Sequence, residues 1–185
     1  MPSYSQAALL IIDVQNDFLP GGTLAVAGGD AIIAPINDLL KADWATIIAT
    51  KDWHPVNHCS FKQHGGPWPT HCVAATHGAA FPDTLMTDKI HHIVHKGLDP
   101  KCDSYSAFFD NERIHSTGLK GLLSGLEIEE LHICGLALDV CVKATIDDAL
   151  ENGFKVTLHS PASKGLTPDP TPLLESFSQQ GVTIR

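Results

Sequence analysis

Ala7-Ala-Leu-Leu-Ile-Ile-Asp13 is a run of six apolar residues closed by a carboxylate. The run is far too short to cross a bilayer and does not alternate with polar residues, so it reads as a strand buried on both faces. Similar runs follow at Ala45–Asp52, His92–Lys96, Leu131–Gly135, Phe154–Leu158 and Val182–Ile184. Helical patterns lie between them. Ile32, Ile33, Ile36, Leu39 and Leu40 mark one helix face after Asp30, a candidate N-cap, although Pro35 disturbs its first turns. Further helices are expected over Glu112–Leu123, from near Cys141 to Asn152 before Gly153, and over Pro172–Gln180 before Gly181. Strands alternating with helices in this way predict an α/β fold: a mostly parallel, six-stranded sheet with helices on both faces.

Composition agrees. The chain has 185 residues, 43% hydrophobic and 18% charged, which excludes a disordered or low-complexity chain and fits a single domain over 1–185. Twelve basic against 21 acidic residues give a net charge of −9 with no basic stripe, so neither nucleic acid nor a membrane is expected as a partner. A homo-oligomer is left open, because the sequence does not locate exposed apolar patches. The opening MPSYSQ has no basic region before the first strand, and the five cysteines (Cys59, Cys72, Cys102, Cys134, Cys141) lack disulfide-like spacing. A reducing compartment, the cytoplasm, is expected.

Residues 53–88 break the α/β pattern and are rich in His, Pro, Gly and Thr. Eight of the eleven histidines fall between His54 and His95. An irregular span of that length inside a compact domain is usually functional, and this one has the composition of a metal-binding loop region.

The strand ends carry the chemistry, because open α/β sheets bind ligands beyond the carboxyl ends of their strands. The first predicted strand ends at Asp13, the second at Asp52 with His54 beyond it, and the third at Lys96. The fourth ends at Gly135, followed by a short loop to Cys141 at a helix start. A thiol of ordinary pKa, about 8.5, is a poor nucleophile at neutral pH, whereas a helix N-terminus and a cation favour the thiolate and a carboxylate can take its proton. The turn before Cys141 offers backbone N–H groups for an oxyanion. Asp52-x-His54 with His71 offers one carboxylate and two imidazoles, the open three-ligand pattern of a catalytic divalent site. His58, Ser60 and His64 are further or water-mediated ligand candidates, and spacing does not choose among them. Each residue also has an ordinary reading when taken singly: Cys141 as a buried structural thiol, Asp13 as a turn residue, Lys96 as a surface lysine, and the histidines as a solvated polar loop.

Taken together, these motifs resemble the nicotinamidases of the isochorismatase-like cysteine hydrolase superfamily over almost the whole chain. The resemblance rests on Ile12-Asp-Val-Gln-Asn-Asp-Phe-Leu-Pro-Gly-Gly22, Lys51-Asp-Trp-His-Pro-Val-Asn-His58 and Ser60-Phe61. It continues through Trp68-Pro-Thr-His-Cys-Val73, His95-Lys-Gly97 and Gly135-Leu-Ala-Leu-Asp-Val-Cys141. It implies a three-layer α/β/α fold and a catalytic triad of Asp13, Lys96 and Cys141. It also implies a divalent metal (zinc, with iron or manganese as alternatives) on Asp52, His54 and His71, and no organic cofactor. A cis peptide is implied between Leu136 and Ala137, with the N–H groups of Ala137 and Cys141 forming an oxyanion hole. Phe18, Trp68 and Tyr105 match aromatic positions that sandwich a pyridine ring. One departure is Leu138, where many relatives carry Thr.

The implied activity is hydrolysis of nicotinamide to nicotinate and ammonia through a cysteine thioester, in NAD salvage, with pyrazinamide as a second substrate. The alternatives are a related small-amide or N-carbamoyl amidohydrolase, an isochorismatase proper, and a noncatalytic metal-binding protein on the same sheet.

Overall fold

The computed structural model describes residues 3–185, so Met1 and Pro2, with which the leader reading begins, lie outside it. Six strands form one sheet: β1 (Ser3–Ile12), β2 (Asp43–Asp52), β3 (His92–Lys96), β4 (Glu130–Leu136), β5 (Lys155–Lys164) and β6 (Thr183–Ile184). Their order is β3-β2-β1-β4-β5-β6, and every pairing is parallel. Among the described residues four α-helices accompany them: α1 (Ile33–Leu39), α2 (Leu119–Gly125), α3 (Lys143–Glu151) and α4 (Thr171–Gln179).

The continuous apolar run of β1 is explained by its place near the middle of the sheet. Leu10 and Ile12 enter a core with Leu119 and Leu123 of α2, Ile146 of α3 and Phe177 of α4. Leu9 and Ile11 point to the opposite core, shared with Ile33 and Ile36 of α1 and with Cys72, Ala79 and Leu85 of the irregular span. Period-2 side-chain alternation serves both faces at once, so a strand covered on both sides needs no polar positions. The expected six strands and two-sided cover are therefore found.

Several boundaries differ from expectation: β1 starts at Ser3, ahead of Ala7, and β5 runs to Lys164, beyond Leu158. The second helix begins at Leu119, not Glu112. Asp110 captures the N–H groups of Ile114 and His115 at 2.7 and 3.0 Å, and Arg113 takes a positive φ of 58°, so residues 112–118 turn instead of winding. Asp30 does not cap α1; Gly29–Ile32 form a 3-10 turn that leads into it. The helical path to Asn152 begins before Cys141, as a π-type turn over Leu138–Val142 continuing into α3. Gly153 and Gly181 close α3 and α4 with φ of 85° and 92°, as expected of C′ glycines.

Residues 53–88 form no α-helix or sheet strand: they carry the 3-10 turn Lys62–His64, the start of the turn Thr87–Lys89, and isolated bridges pairing His54 with Val73 and Phe61 with Trp68. Side chains just past β1 hold the span in place. Gln15 donates to the carbonyls of Asp52 (2.8 Å) and Ala79 (3.0 Å), and Asp17 accepts the N–H of Cys72 at 2.7 Å.

Candidate active site

Five strand-end segments meet beyond the carboxyl edge of the sheet and line one pocket. After β1 comes Phe18, with Leu24 and Val26; after β2 come Asp52 at its end, Trp68 and His71. Asp103 and Tyr105 follow β3, Ala137, Val140 and Cys141 follow β4, and Leu166 follows β5. Phe18, Trp68 and Tyr105, expected as ring-binding aromatics, thus share one cavity, and Trp68 Nε1 donates to the Tyr105 hydroxyl at 3.1 Å.

Lys96, the last residue of β3, is 1% exposed. Its ammonium lies 2.8 Å from Asp13 Oδ2, bonds Asp52 Oδ1, donates to the Ser104 carbonyl at 2.8 Å and stands 3.6 Å from Cys141 Sγ. The surface-lysine reading is therefore excluded. A buried ammonium requires paired charge, and here two carboxylates supply it and hold its pKa well above the ordinary value against the effect of burial.

Asp13 follows β1 in a left-handed conformation, φ 49°, which Asp tolerates better than most residues. Thr50 fixes it from both ends: Asp13 N–H donates to the Thr50 hydroxyl (3.1 Å), which donates back to Asp13 Oδ1 (2.6 Å). Oδ2 is fully buried, in charge contact with Lys96 but without an aligned hydrogen bond, which leaves it able to accept a proton. Burial pushes the Asp13 carboxyl up to about 6; Lys96 opposes this and the Asp52 charge adds to it. Burial also raises the Cys141 thiol, with Lys96 pulling it down and Asp13 and Asp52 pushing it up. The sulfur therefore rests protonated beside a carboxylate poised to take its proton. Acceptor atoms of Asp13 and Asp52 and the Cys141 sulfur lie within 4.8 Å of one another.

The Leu136–Ala137 peptide is cis. The Ala137 carbonyl accepts the N–H groups of Val140 and Val142, both at 3.1 Å, passing over that of Cys141 between them. Leu138, where a hydroxyl was the alternative, is buried in the core with Ile12 and Val142.

Asp52, His54 and His71 also converge, with one ligand atom from each lying within 4.8 Å of the others. His54 Nδ1 bonds the Gly97 carbonyl at 2.9 Å and His71 Nδ1 the Pro69 carbonyl at 2.7 Å. Each ring therefore carries its proton on Nδ1 and its lone pair on Nε2. The two Nε2 atoms face Asp52 Oδ2 at 3.4 and 3.8 Å. His54 Nε2 is buried without a hydrogen-bond partner, an arrangement that native interiors avoid and that a cation relieves. Burial opposes charge on Asp52, but Lys96 and the two histidines hold its carboxyl well below the usual range. An anionic oxygen and two imidazole lone pairs fit a divalent transition ion.

Of the three further ligand candidates, His58 lies against His54, with ring centroids 4.0 Å apart, and its Nε2 is likewise buried and unpartnered. The Ser60 hydroxyl is engaged by His58 Nδ1 at 2.7 Å, and His64 is exposed in the 62–64 turn. The sequence reading did not single out Thr50, Gln15 or Asp17. The last two lie within the Asp-Val-Gln-Asn-Asp-Phe motif, whereas Thr50 looks like any other strand residue.

This fold and site define a class, and the chain belongs to the isochorismatase family: the Isochorismatase domain model matches residues 7–183. Within that class, the nicotinamidase of Escherichia coli (strain K12) is 41% identical over 96% of this chain and 93% of that protein. The crystal structure of PnC1 from L. infantum in complex with nicotinate aligns with a TM-score of 0.94 at 39% identity, covering 100% of this chain and 95% of that one. The pyrazinamidase of Pyrococcus horikoshii in complex with zinc aligns at 0.86 and 40% identity, covering 97% and 98%.

Proposed function

We propose that this protein hydrolyses nicotinamide to nicotinate and ammonia, with Cys141 as nucleophile, Asp13 as proton carrier and Lys96 as the charge that allows the two to sit together. The observation that carries this reading is that Cys141, Asp52 and His71 line one aromatic-walled pocket, with Asp13, Lys96 and His54 buried in contact with them. Relatives named nicotinamidase support the substrate, and the nicotinate complex of the L. infantum protein supports the product.

Cys141 Sγ attacks the carboxamide carbon while its proton passes to Asp13 Oδ2. The backbone N–H groups of Ala137 and Cys141 hold the oxyanion of the tetrahedral intermediate; such donors contribute roughly 3 kcal/mol each. Asp13 returns the proton to the departing ammonia, leaving a thioester on Cys141. A water molecule deprotonated by Asp13 then cleaves the thioester, releasing nicotinate and restoring the thiol. Phe18, Trp68 and Tyr105 pack against the ring and fix the amide near the sulfur, which converts encounter into a near-attack geometry.

Asp52, His54 and His71 would hold a divalent ion, with zinc favoured by the P. horikoshii complex. When bound, it supplies a Lewis acid that orients and polarises a coordinating substrate atom. Pyrazinamide is an isosteric second substrate. All five cysteines are free, in keeping with a reducing cytoplasm; hydrolysis of nicotinamide to nicotinate would place the protein in NAD salvage. Among the described residues, no helix is long and apolar enough to cross a membrane.

The test is ammonia release from nicotinamide by purified protein, before and after exhaustive chelation, with Cys141→Ala alongside. Turnover that falls on chelation, recovers with zinc and vanishes in the variant is the expected result. Turnover of N-carbamoyl compounds with none of nicotinamide would reassign the substrate.

A further inference from the structure

One wall of the pocket comes from a segment that the chemistry above does not use. Leu166, just past β5, lines the cavity although it is 44% exposed. A surface loop carrying a half-exposed leucine is ordinarily mobile. Here one carboxylate holds it. Asp139 Oδ1 accepts the Leu166 N–H at 2.9 Å, and Oδ2 accepts both the N–H and the hydroxyl of Thr167, each at 2.7 Å. The loop backbone lies directly on this carboxylate: a Cβ at Gly165 would stand 2.9 Å from Asp139 Oδ1. These bonds outweigh burial and keep the Asp139 carboxyl below its ordinary value, so they are charge-assisted at neutral pH. Asp139 belongs to the turn that carries Cys141, so the wall and the nucleophile share one rigid element.

Building on the amide-hydrolysis reading, we propose that Leu166 is a specificity-determining residue and Asp139 its positioning residue. The carboxylate of the nucleophile turn locks the leucine against the ring pocket. The pocket then fits an unsubstituted six-membered aromatic carboxamide and rejects one bearing a ring alkyl group. Removing Leu166 opens the wall, while loosening Asp139 lets an intact Leu166 swing away.

The experiment measures kcat and KM for nicotinamide and 5-methylnicotinamide with zinc-supplemented wild type, Leu166→Ala, Asp139→Asn and Gly165→Ala. In Leu166→Ala, KM for nicotinamide should rise about tenfold with a much smaller change in kcat, as lost apolar contact predicts. The ratio of kcat/KM values should move at least about fivefold toward the methylated amide. Asp139→Asn and Gly165→Ala should move it in the same direction with Leu166 still present. A purely structural role for Asp139 would depress both substrates in proportion and leave the ratio fixed. A ratio unchanged in Leu166→Ala and Asp139→Asn, with wild type active on nicotinamide, overturns this assignment alone. Absence of wild-type turnover on both amides overturns the amidase reading and this assignment with it.

Discussion

Lys96 bonds Asp52, a candidate metal ligand, as well as lying 2.8 Å from Asp13, so one ammonium joins the two halves of the site. Removing it leaves two buried carboxylates uncompensated, which typically costs 3–5 kcal/mol of stability. Lys96→Met should therefore melt well below wild type and lose at least about 1,000-fold in kcat/KM, the scale on which members of a catalytic triad act. It should still bind metal, because Asp52 gains free negative charge. Thermal denaturation, kinetics and elemental analysis of the same sample check all three points, and loss of metal together with activity would contradict the last.

Gly97 packs against His54, a candidate metal ligand, without touching the chemistry. It has φ +65°, and a Cβ there would stand 2.3 Å from His54 Cε1. Gly97→Ala should displace the His54 ring and lower metal content and activity together, with partial recovery at high zinc concentration. Full occupancy in the variant would mean that His54 is not a ligand.

The Asp13 carboxyl near 6 predicts the acid limb of the pH profile. The group must be ionised to take the thiol proton, so kcat/KM should fall about tenfold per pH unit below that value and level off above it. Thr50→Val removes the hydrogen bond to the ionised form and should shift the limb upward, with Thr50→Ser restoring it. An unshifted limb would separate Asp13 from proton transfer.

Far from the pocket, His132 Nδ1 lies 2.9 Å from His159 Nε2. Burial, with His132 and Arg185 adding to it, pushes the His159 pKa down to about 4. Between its ordinary value and 4 the unfolded chain binds the extra proton, so stability is present above that window and is lost as pH falls through it. The loss, discounted for partial solvent contact, is on the order of 1–3 kcal/mol. Urea melts at pH 7 and pH 5 should show it, and His159→Gln should flatten the difference.

The sequence by itself determined the six strands, their parallel arrangement and the residues at the ends of the first four, because periodicity and chain-local turn chemistry encode those features; β5 runs six residues past its expected end at Leu158. The spacing of the strands alone puts Asp13, Asp52, Lys96 and Cys141 on one rim, since an α/β sheet brings its strand ends together whatever the loops do. Helix α2 was misplaced because Asp110 captures two N–H groups downstream, a side-chain competition that periodicity does not register. Only the tertiary structure decided that Lys96 serves both carboxylates, that Thr50 grips Asp13 from 37 residues away, and that Asp139 holds Leu166 from 27. It also brought His58, of the three further candidates, against the His54 ring. These pairings come from packing between distant segments. A hydrogen bond of 2.6 Å across the sheet leaves no mark on the spacing of residues along the chain.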